Sequence, residues 1–398
     1  MFFIGLIREG KVPADNRVAL TPAQCRFLNH HVPGVKVVVQ PSKSRCFADK
    51  EYERAGCLIT EDLIGCDLLL GIKEVPVDML LPNKTYMFFS HTRKKQPYNQ
   101  KLMQAMVEKK ITLIDYECLE HEDGQRIIGF GFFAGIVGAH NGMMAYGKRT
   151  GSFEMGRIGE KEYKELIHTY FGLKLPIVKI AVTGNGRVAH GILEIMNLMD
   201  VREVEPEEFL KNEYKYPVYV HLKGSDLYEN LTTKKYLREE FRIHPELYEC
   251  RFEPFCFKAD ILMNGIFWDT NVPRLFSMQT LKKPGFKIQT IADVTDDAYG
   301  SVPCNLGDAT IEDPVYGVDK MSGQKTAPYL PASVDVMAVG NLPNELPKDA
   351  SRYFGEQLIK YILPDILKGG NEAIEGATIL REGALTKQFE YLSDYAYQ

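Results

Sequence analysis

The chain is short of several things whose absence is informative. Its eight cysteines (25, 46, 57, 66, 118, 250, 256 and 304) include no CxxC pair and no evenly spaced framework. That argues against a structural zinc site or a disulfide-stapled secreted scaffold, and suits a reducing cytoplasm with no metal. No apolar run reaches the roughly 20 residues a membrane-spanning helix needs. The opening MFFIGLIREG lacks a basic start and meets charge at Arg8, so it reads as a first strand and not as a signal peptide. Basic residues are not in excess: 48 Lys and Arg face 53 Asp and Glu, a formal charge of −5 with no basic stripe, so nucleic acid is not an expected partner. Repeats and low-complexity tracts are also missing.

What is present is globular in composition, 45% hydrophobic and 25% charged. At 398 residues it is too long for one small core, and two domains are expected. The chain is organised around Asp67 to Gln96, where two unbroken apolar runs each end in proton-handling side chains. Asp67–Ile72 stops at Lys73 and Glu74, and Tyr86–Phe89 stops at Ser90 and His91. Such runs suit strands buried on both faces of a parallel sheet, whose chemistry gathers at the carboxyl ends. If the two strands are neighbours, an amine and an imidazole share one rim.

Around this pair the pattern alternates strand and helix through residue 120. Phe2–Ile7 reads as a strand, then a charged loop from Arg8 to Arg17, a helix opened by Thr21-Pro22, a strand at Val35–Val39 and a short helix at Asp49–Ala55. Tyr98–Glu108 is expected to be helical, Ile111–Tyr116 a strand ending at Glu117, and Asp123-Gly124 a hairpin turn. The glycine-rich stretch Gly129–Gly151 reads as a tightly packed helix crossing between domains, with His140 a packed helix residue and not a ligand. Pro176–Val182 is a buried strand that runs into Gly184-Asn185-Gly186-Arg187-Val188 and an apolar helix, Ile192–Met199. Strand, glycine turn and helix are the context in which backbone approaches a pyrophosphate. The spacing GxGxxxxG is looser than the usual fingerprint, and alone it is weak. Glu203 and Glu205 lie near the ~20-residue offset at which an acid meets a ribose diol. Further strands are expected at Asp260–Trp268, Phe286–Ile291 and Met337–Leu342, then a closing amphipathic helix at Ala350–Leu367 and a mobile tail of about a dozen residues. The fold class is α/β, two Rossmann-like domains with mostly parallel sheets and an interdomain cleft. The expected boundaries are residues 1–135 plus 335–398 for a substrate domain and 136–334 for a dinucleotide domain.

Beyond these local signals, RVALTP, GIKEVP, KTYMFFSHTRKKQ, LIDYE and RIIGFGFFAG, with EVEPEEF, HPELYECRF, NGIFW, NVPRL, DATIEDP, GNLPNELPKDAS and FGEQL, resemble a known family. It is the lysine-forming saccharopine dehydrogenases and, closer still, the lysine-ketoglutarate reductase half of the bifunctional enzyme of lysine breakdown. Alanine dehydrogenase and the soluble part of transhydrogenase belong to the same wider superfamily. The resemblance implies reversible conversion of saccharopine, oxidised cofactor and water into L-lysine, 2-oxoglutarate and reduced cofactor. It makes Lys73 the general base and His91 the general acid; by their charge, Glu74 and Glu117 would push the Lys73 pKa upward and so tune it. It places Arg17, Arg126, Gln96 and Phe130 around substrate carboxylates, and Asn264 and Gly265 beside the substrate. Gly184, Gly186, Arg187, Val188, Glu205 and the run Asp293-Val294-Thr295-Asp296 would hold the cofactor, with Asp297 a rival within that run. Gln125 stands where many members carry a second basic residue.

A lysine works as a base only if its pKa falls towards neutrality, and Arg17, Arg93, Lys94, Lys95 and Arg126 could lower it by like-charge repulsion. Read without the resemblance, Lys73 and His91 are also ordinary strand-end residues, both arginines surface ion-pair partners and Phe130 core filling. An acid at position 205 disfavours a 2′-phosphate and points to NAD; Arg187 or Arg202 could serve a phosphate, so NADP stays open. Two rival readings are an alanine dehydrogenase-like enzyme with a smaller substrate and a silent nucleotide-binding regulator. Small molecules are the expected partners, and a homo-oligomer is left open.

Overall fold

The computed structural model describes residues 1–398 apart from Glu160 and Asp308, so the first residue of the DATIEDP motif lies outside the described residues. The chain forms two compact units, Met1–Phe130 with Pro347–Gln398, and Gly131–Leu346. These limits differ from the sequence boundaries because the glycine-rich helix Gly131–Thr150 and, at the other end, the strand Ser333–Met337 with the turn Leu342–Glu345 lie wholly in the second unit.

The first unit is built on strands β1 (Phe2–Leu6), β2 (Val35–Val39), β3 (Leu58–Ile59), β4 (Leu68–Leu70), β5 (Thr85–Phe88) and β6 (Thr112–Asp115), completed near the chain end by β17 (Thr378–Arg381) and β18 (Ala384–Leu385). Their order is β18-β17-β6-β5-β4-β1-β2-β3. All pairs are parallel except β17 on β6 and β18 on β17. The central strands are apolar throughout because both faces are covered, and Leu68, Leu69 and Leu70 are buried. Helix Pro22–His31 starts as its sequence predicts: Thr21 and Gln24 form a reciprocal capping box and Pro22 occupies the first turn.

The second unit carries β7 (Lys179–Thr183), β8 (Arg202–Glu203), β9 (Val218–Leu222), a separate antiparallel ribbon of β10 (Tyr228–Asn230) and β11 (Tyr248–Cys250), then β12 (Ile261–Asn264), β13 (Thr290–Asp293), β14 (Val315–Asp319), β15 (Lys325–Thr326) and β16 (Ser333–Met337). Its main sheet runs β15-β14-β16-β13-β12-β7-β9-β8, parallel except at β14 and β15. Helix Gly131–Thr150 packs backbone to backbone on helix Arg187–Leu198. A Cβ at Gly135 would fall 2.0 Å from Val188 O, and one at Gly191 2.0 Å from Phe132 O, so only glycine permits this approach. His140 is packed inside, bonded to the Tyr170 hydroxyl and Gly156 carbonyl, both at 2.9 Å, and burial pushes its pKa down to about 4.

Several element expectations are corrected. The strand expected at Met337–Leu342 lies earlier, at Ser333–Met337, and that expected to end at Trp268 stops at Asn264. The closing helix is interrupted. Pro347–Gln357 is helical, Leu358–Ile362 forms a π turn, and Leu363–Leu367 continues past Pro364, which cannot donate to the helical ladder. The last residues are no loose tail: Ser393–Tyr397 is a helix, Tyr395 is buried, and its hydroxyl donates to Gln96 O at 2.5 Å. No helix among the described residues is long and apolar enough to cross a membrane.

Candidate active site

In the first unit β4 and β5 are adjacent and parallel, Leu70 opposite Met87, so Lys73 and His91 leave the same rim three and four residues beyond that pair. Glu74 connects the region. Its Oε1 accepts from His91 Nδ1 at 2.7 Å and from Asn99 Nδ2 at 3.3 Å, and its Oε2 accepts from Lys11 Nζ at 2.9 Å. Burial pushes the Glu74 carboxyl up, but the His91 and Lys11 contacts win and hold it well below the usual carboxylate range. With Nδ1 donating to a carboxylate, Nε2 of His91 is the nitrogen left for proton exchange. Positive φ at His91 (51°) turns its side chain at the strand end.

Lys73 is lowered from the ordinary 10.5 to about 8, first by burial, then by the charges of Arg17 and Lys11, against Asp15 and Glu74. Of the charges expected to lower it, Arg17 does so, but burial comes first. Arg93 pairs with Glu120 at 2.8 Å, Lys95 with Asp394 at 2.5 Å and Arg126 with Glu117 at 2.5 Å, so their charges are compensated locally. Sequence reasoning missed Glu9, whose carboxylate clamps the turn by accepting Ile72 N at 2.7 Å and Lys73 N at 2.9 Å. Burial raises Glu9 to about 7. It also missed Lys11 and Asp15, having read Arg8–Arg17 as a plain charged loop. Only the folded strand end brings these groups to Lys73.

Arg17 is buried, its Nε and Nη2 on Asp15 at 2.9 and 2.6 Å and its guanidinium 4.3 Å above the Phe130 ring. Phe130 itself stacks on Phe354 at 4.5 Å, so it fills core and supports Arg17 at once. Glu117 is placed by Asp115 at the end of β6, whose Oδ1 accepts Glu117 N at 2.7 Å and whose Oδ2 accepts Ser90 N at 3.1 Å. Burial lifts Asp115 to about 6. Gln96 is half-buried, with its carbonyl on Tyr395.

In the second unit the turn after β7 runs directly into a helix. Gly184 has φ +105°, and a Cβ there would lie 2.4 Å from Gly265 O. At Gly186 nothing lies within 4 Å of a Cβ, so bare backbone is presented at the start of the twelve-residue helix Arg187–Leu198. Arg187 and Val188 are half-buried in its first turn. Val188 borders Gly265, whose Cβ would meet Val188 Cγ1 at 3.0 Å.

Other expected cofactor and substrate residues serve the sheet rim. Asn264 and Asp293 are fully buried: Asn264 Oδ1 accepts from Thr183 Oγ1 at 2.7 Å, and its Nδ2 donates to Asp293 Oδ1 and Ser301 Oγ, both at 2.8 Å. Thr295 and Asn305 complete the Asp293 carboxylate at 2.7 and 2.8 Å, and burial raises its pKa. Val294 packs towards Gly138. Asp296 (φ 55°) and Asp297 follow in the loop; a Cβ on Gly340 would lie 2.7 Å from Asp296 Oδ2, and one on Gly300 2.6 Å from Asp297 Cβ.

Glu205 is not where its offset suggested. The strand beside β7 is β9, and β8 lies outside it, pairing only Arg202 with Val218 and Glu203 with Tyr219. Glu205 is exposed at the start of the short helix Pro206–Lys211. A strand has been inserted between the glycine turn and the acid, so spacing along the chain no longer reports spacing across the sheet.

Residues 5–137 match the family described as the alanine dehydrogenase/PNT N-terminal domain. The mitochondrial alpha-aminoadipic semialdehyde synthase of Rattus norvegicus is 30% identical over 98% of this chain and 47% of its own length, so the chain spans about half of that relative. The NAD(+), L-lysine-forming saccharopine dehydrogenase of Candida glabrata is 25% identical over 89% of each chain. Among solved structures, an L-alanine dehydrogenase superposes with TM-score 0.67 at 17% identity, covering 99% of this chain and 100% of that one. The chain is thus similar to oxidoreductases of the saccharopine dehydrogenase kind, has the fold of alanine dehydrogenase, and is related to dehydrogenases that use a nicotinamide cofactor.

Proposed function

We propose that this chain, whose residues 5–137 belong to the alanine dehydrogenase/PNT N-terminal domain family, interconverts saccharopine with L-lysine and 2-oxoglutarate. The first unit acts as the acid–base unit and the second as the dinucleotide unit. The observation that carries this reading is the half-buried Lys73, with its pKa near 8, beside the Glu74–His91 pair on adjoining strand ends. At pH 7 a pKa of about 8 leaves roughly a tenth of Lys73 neutral, against well under a thousandth at 10.5.

In the oxidative direction, neutral Lys73 takes a proton from the secondary ammonium of saccharopine. A nicotinamide cofactor, when bound, would supply the hydride acceptor. Water adds to the resulting imine and gives a proton to Nε2 of His91, whose ring Glu74 holds through Nδ1; His91 returns that proton to the nitrogen, which departs as the lysine amine while the carbinol O–H proton is lost to leave 2-oxoglutarate. The turn at Gly184 and Gly186 would hold the pyrophosphate, a reading that the open space at Gly186 supports. Arg17 and Arg126 suit the carboxylates of the substrate, with Asp15 and Glu117 orienting their guanidinium planes. The eight unpaired thiols support a reducing setting, the cytoplasm.

A smaller amino acid is the second reading, favoured by the commitment of both arginines to acidic neighbours. Purified protein with lysine, 2-oxoglutarate and either NADH or NADPH, followed by loss of reduced-nicotinamide absorbance, tests the first. Turnover confined to pyruvate and ammonia would transfer the assignment to the second.

A further inference from the structure

The strand inserted between the glycine turn and Glu205 changes which residue can meet the adenosine end of a dinucleotide. In a fold of this kind the ribose lies over the carboxyl end of the strand beside the glycine-turn strand, where an acid accepts from the diol or a cation meets a 2′-phosphate. Here that neighbour is β9. Leu222 pairs with Thr183, its carbonyl accepts Gly184 N at 3.0 Å, and His221 Nε2 reaches Gly184 O at 2.7 Å. The next residue out of β9 is Lys223.

We infer that Lys223, and not Glu205, reads the adenosine ribose and selects a dinucleotide bearing a 2′-phosphate. This deepens the proposed function and rests on its dinucleotide reading.

Lys223 is exposed, and among the described residues its ammonium has no ion-pair or hydrogen-bond partner. The chain then turns at Gly224 (φ +50°), placing the exposed Ser225 next along the same rim. Asp226 Oδ2 accepts Lys223 N at 3.2 Å and so closes this turn. Glu203 Oε2 accepts from Tyr219 OH at 3.1 Å, three residues short of the end of β9. Glu205 follows the outer strand β8, about 10 Å from β7 at two interstrand spacings. Arg202, the other cation considered for a phosphate, stacks on Tyr216 at 4.5 Å and pairs with Val218, about 13 Å below the rim by strand rise. A lone cation with a hydroxyl two residues on suits a phosphate dianion.

The test is direct binding by the full chain, without amino-acid substrate, read from nicotinamide fluorescence with NADPH and NADH in turn. NADPH should bind about tenfold more tightly, the size of one hydrogen bond to a charged group, and its advantage should shrink as salt rises. Lys223→Ala should remove that advantage while leaving NADH affinity unchanged, Lys223→Glu should reverse it, and Lys223→Arg should retain it. Retained NADH binding in these variants shows that the turn is intact. NADH bound at least as tightly as NADPH, or Lys223→Ala weakening both alike, overturns the Lys223 assignment alone. Failure of both dinucleotides to bind the wild-type chain overturns the dinucleotide reading and this inference with it.

Discussion

Replacing Lys73 by methionine should make the protein more stable while nearly abolishing its chemistry. The Lys73 pKa falls from 10.5 to about 8, and the largest cause is burial of the charge, followed by the positive charges of Arg17 and Lys11. At about 1.4 kcal/mol per pK unit, holding this ammonium at neutral pH costs the folded state up to about 3.5 kcal/mol. Water reaching the half-buried side chain makes that a ceiling. Among the described residues Nζ makes no hydrogen bond or ion pair, so methionine of similar length orphans no protein partner.

The sign over pH is fixed by linkage. Between about 8 and 10.5 the unfolded chain still binds the proton that the native chain has released, so wild-type stability rises with pH across that window. The advantage of Lys73→Met should therefore be full at pH 7, narrow from about pH 8 upward and close near 10.5. Urea unfolding of both proteins at pH 7, 9 and 10 measures this, and initial rates with lysine and 2-oxoglutarate should fall by at least about a hundredfold. A methionine variant no more stable than wild type at pH 7, or a gap that ignores pH, would refute a desolvated lysine. Unchanged turnover would remove Lys73 from the reaction.

Glu74→Gln should destabilise the first unit by about 1–2 kcal/mol at neutral pH, because His91 and Lys11 lose their anionic partner. Since the Glu74 carboxyl is held below its ordinary value, that loss should shrink as pH falls through the acid range, a trend that chemical denaturation at pH 7, 5 and 3 will show. Gly191→Ala drives a Cβ to 2.0 Å from Phe132 O, so a loss above about 4 kcal/mol is expected, seen as a collapse in soluble yield or melting temperature. Gly186→Ala, with nothing within 4 Å of the new Cβ, should keep the fold and lower dinucleotide affinity in the same fluorescence titration. Equal stability of the two glycine variants would contradict the helix packing described above.

Much of the architecture is readable before folding because it is local. Continuous apolar runs mark the central strands, Thr21-Pro22 marks a helix start, and the glycines of residues 131–150 signal close packing. Lys73 and His91 are legible as strand-end residues, and adjacent strands bring them to one rim. Glu9, Asp15 and Lys11 were not legible, since their importance comes from β1 lying beside β4 and from a carboxylate that reaches a backbone 63 and 64 residues away. The end of the chain was misread for the same reason: Tyr395 is ordered by a partner at Gln96 that no local pattern announces.

By itself the sequence determined the central strands of the first sheet and β7, where a glycine turn precedes a helix, and which side chains at strand ends can carry protons, because period, propensity and turn chemistry act within a few residues; β9 carried no such legible signal. Only tertiary structure decided the order of strands, and with it that β9, and not the strand leading to Glu205, lies beside the glycine-turn strand. Strand order is settled by packing between segments far apart in the chain, and moving one strand displaces a side chain by a full interstrand spacing while leaving every local pattern unchanged.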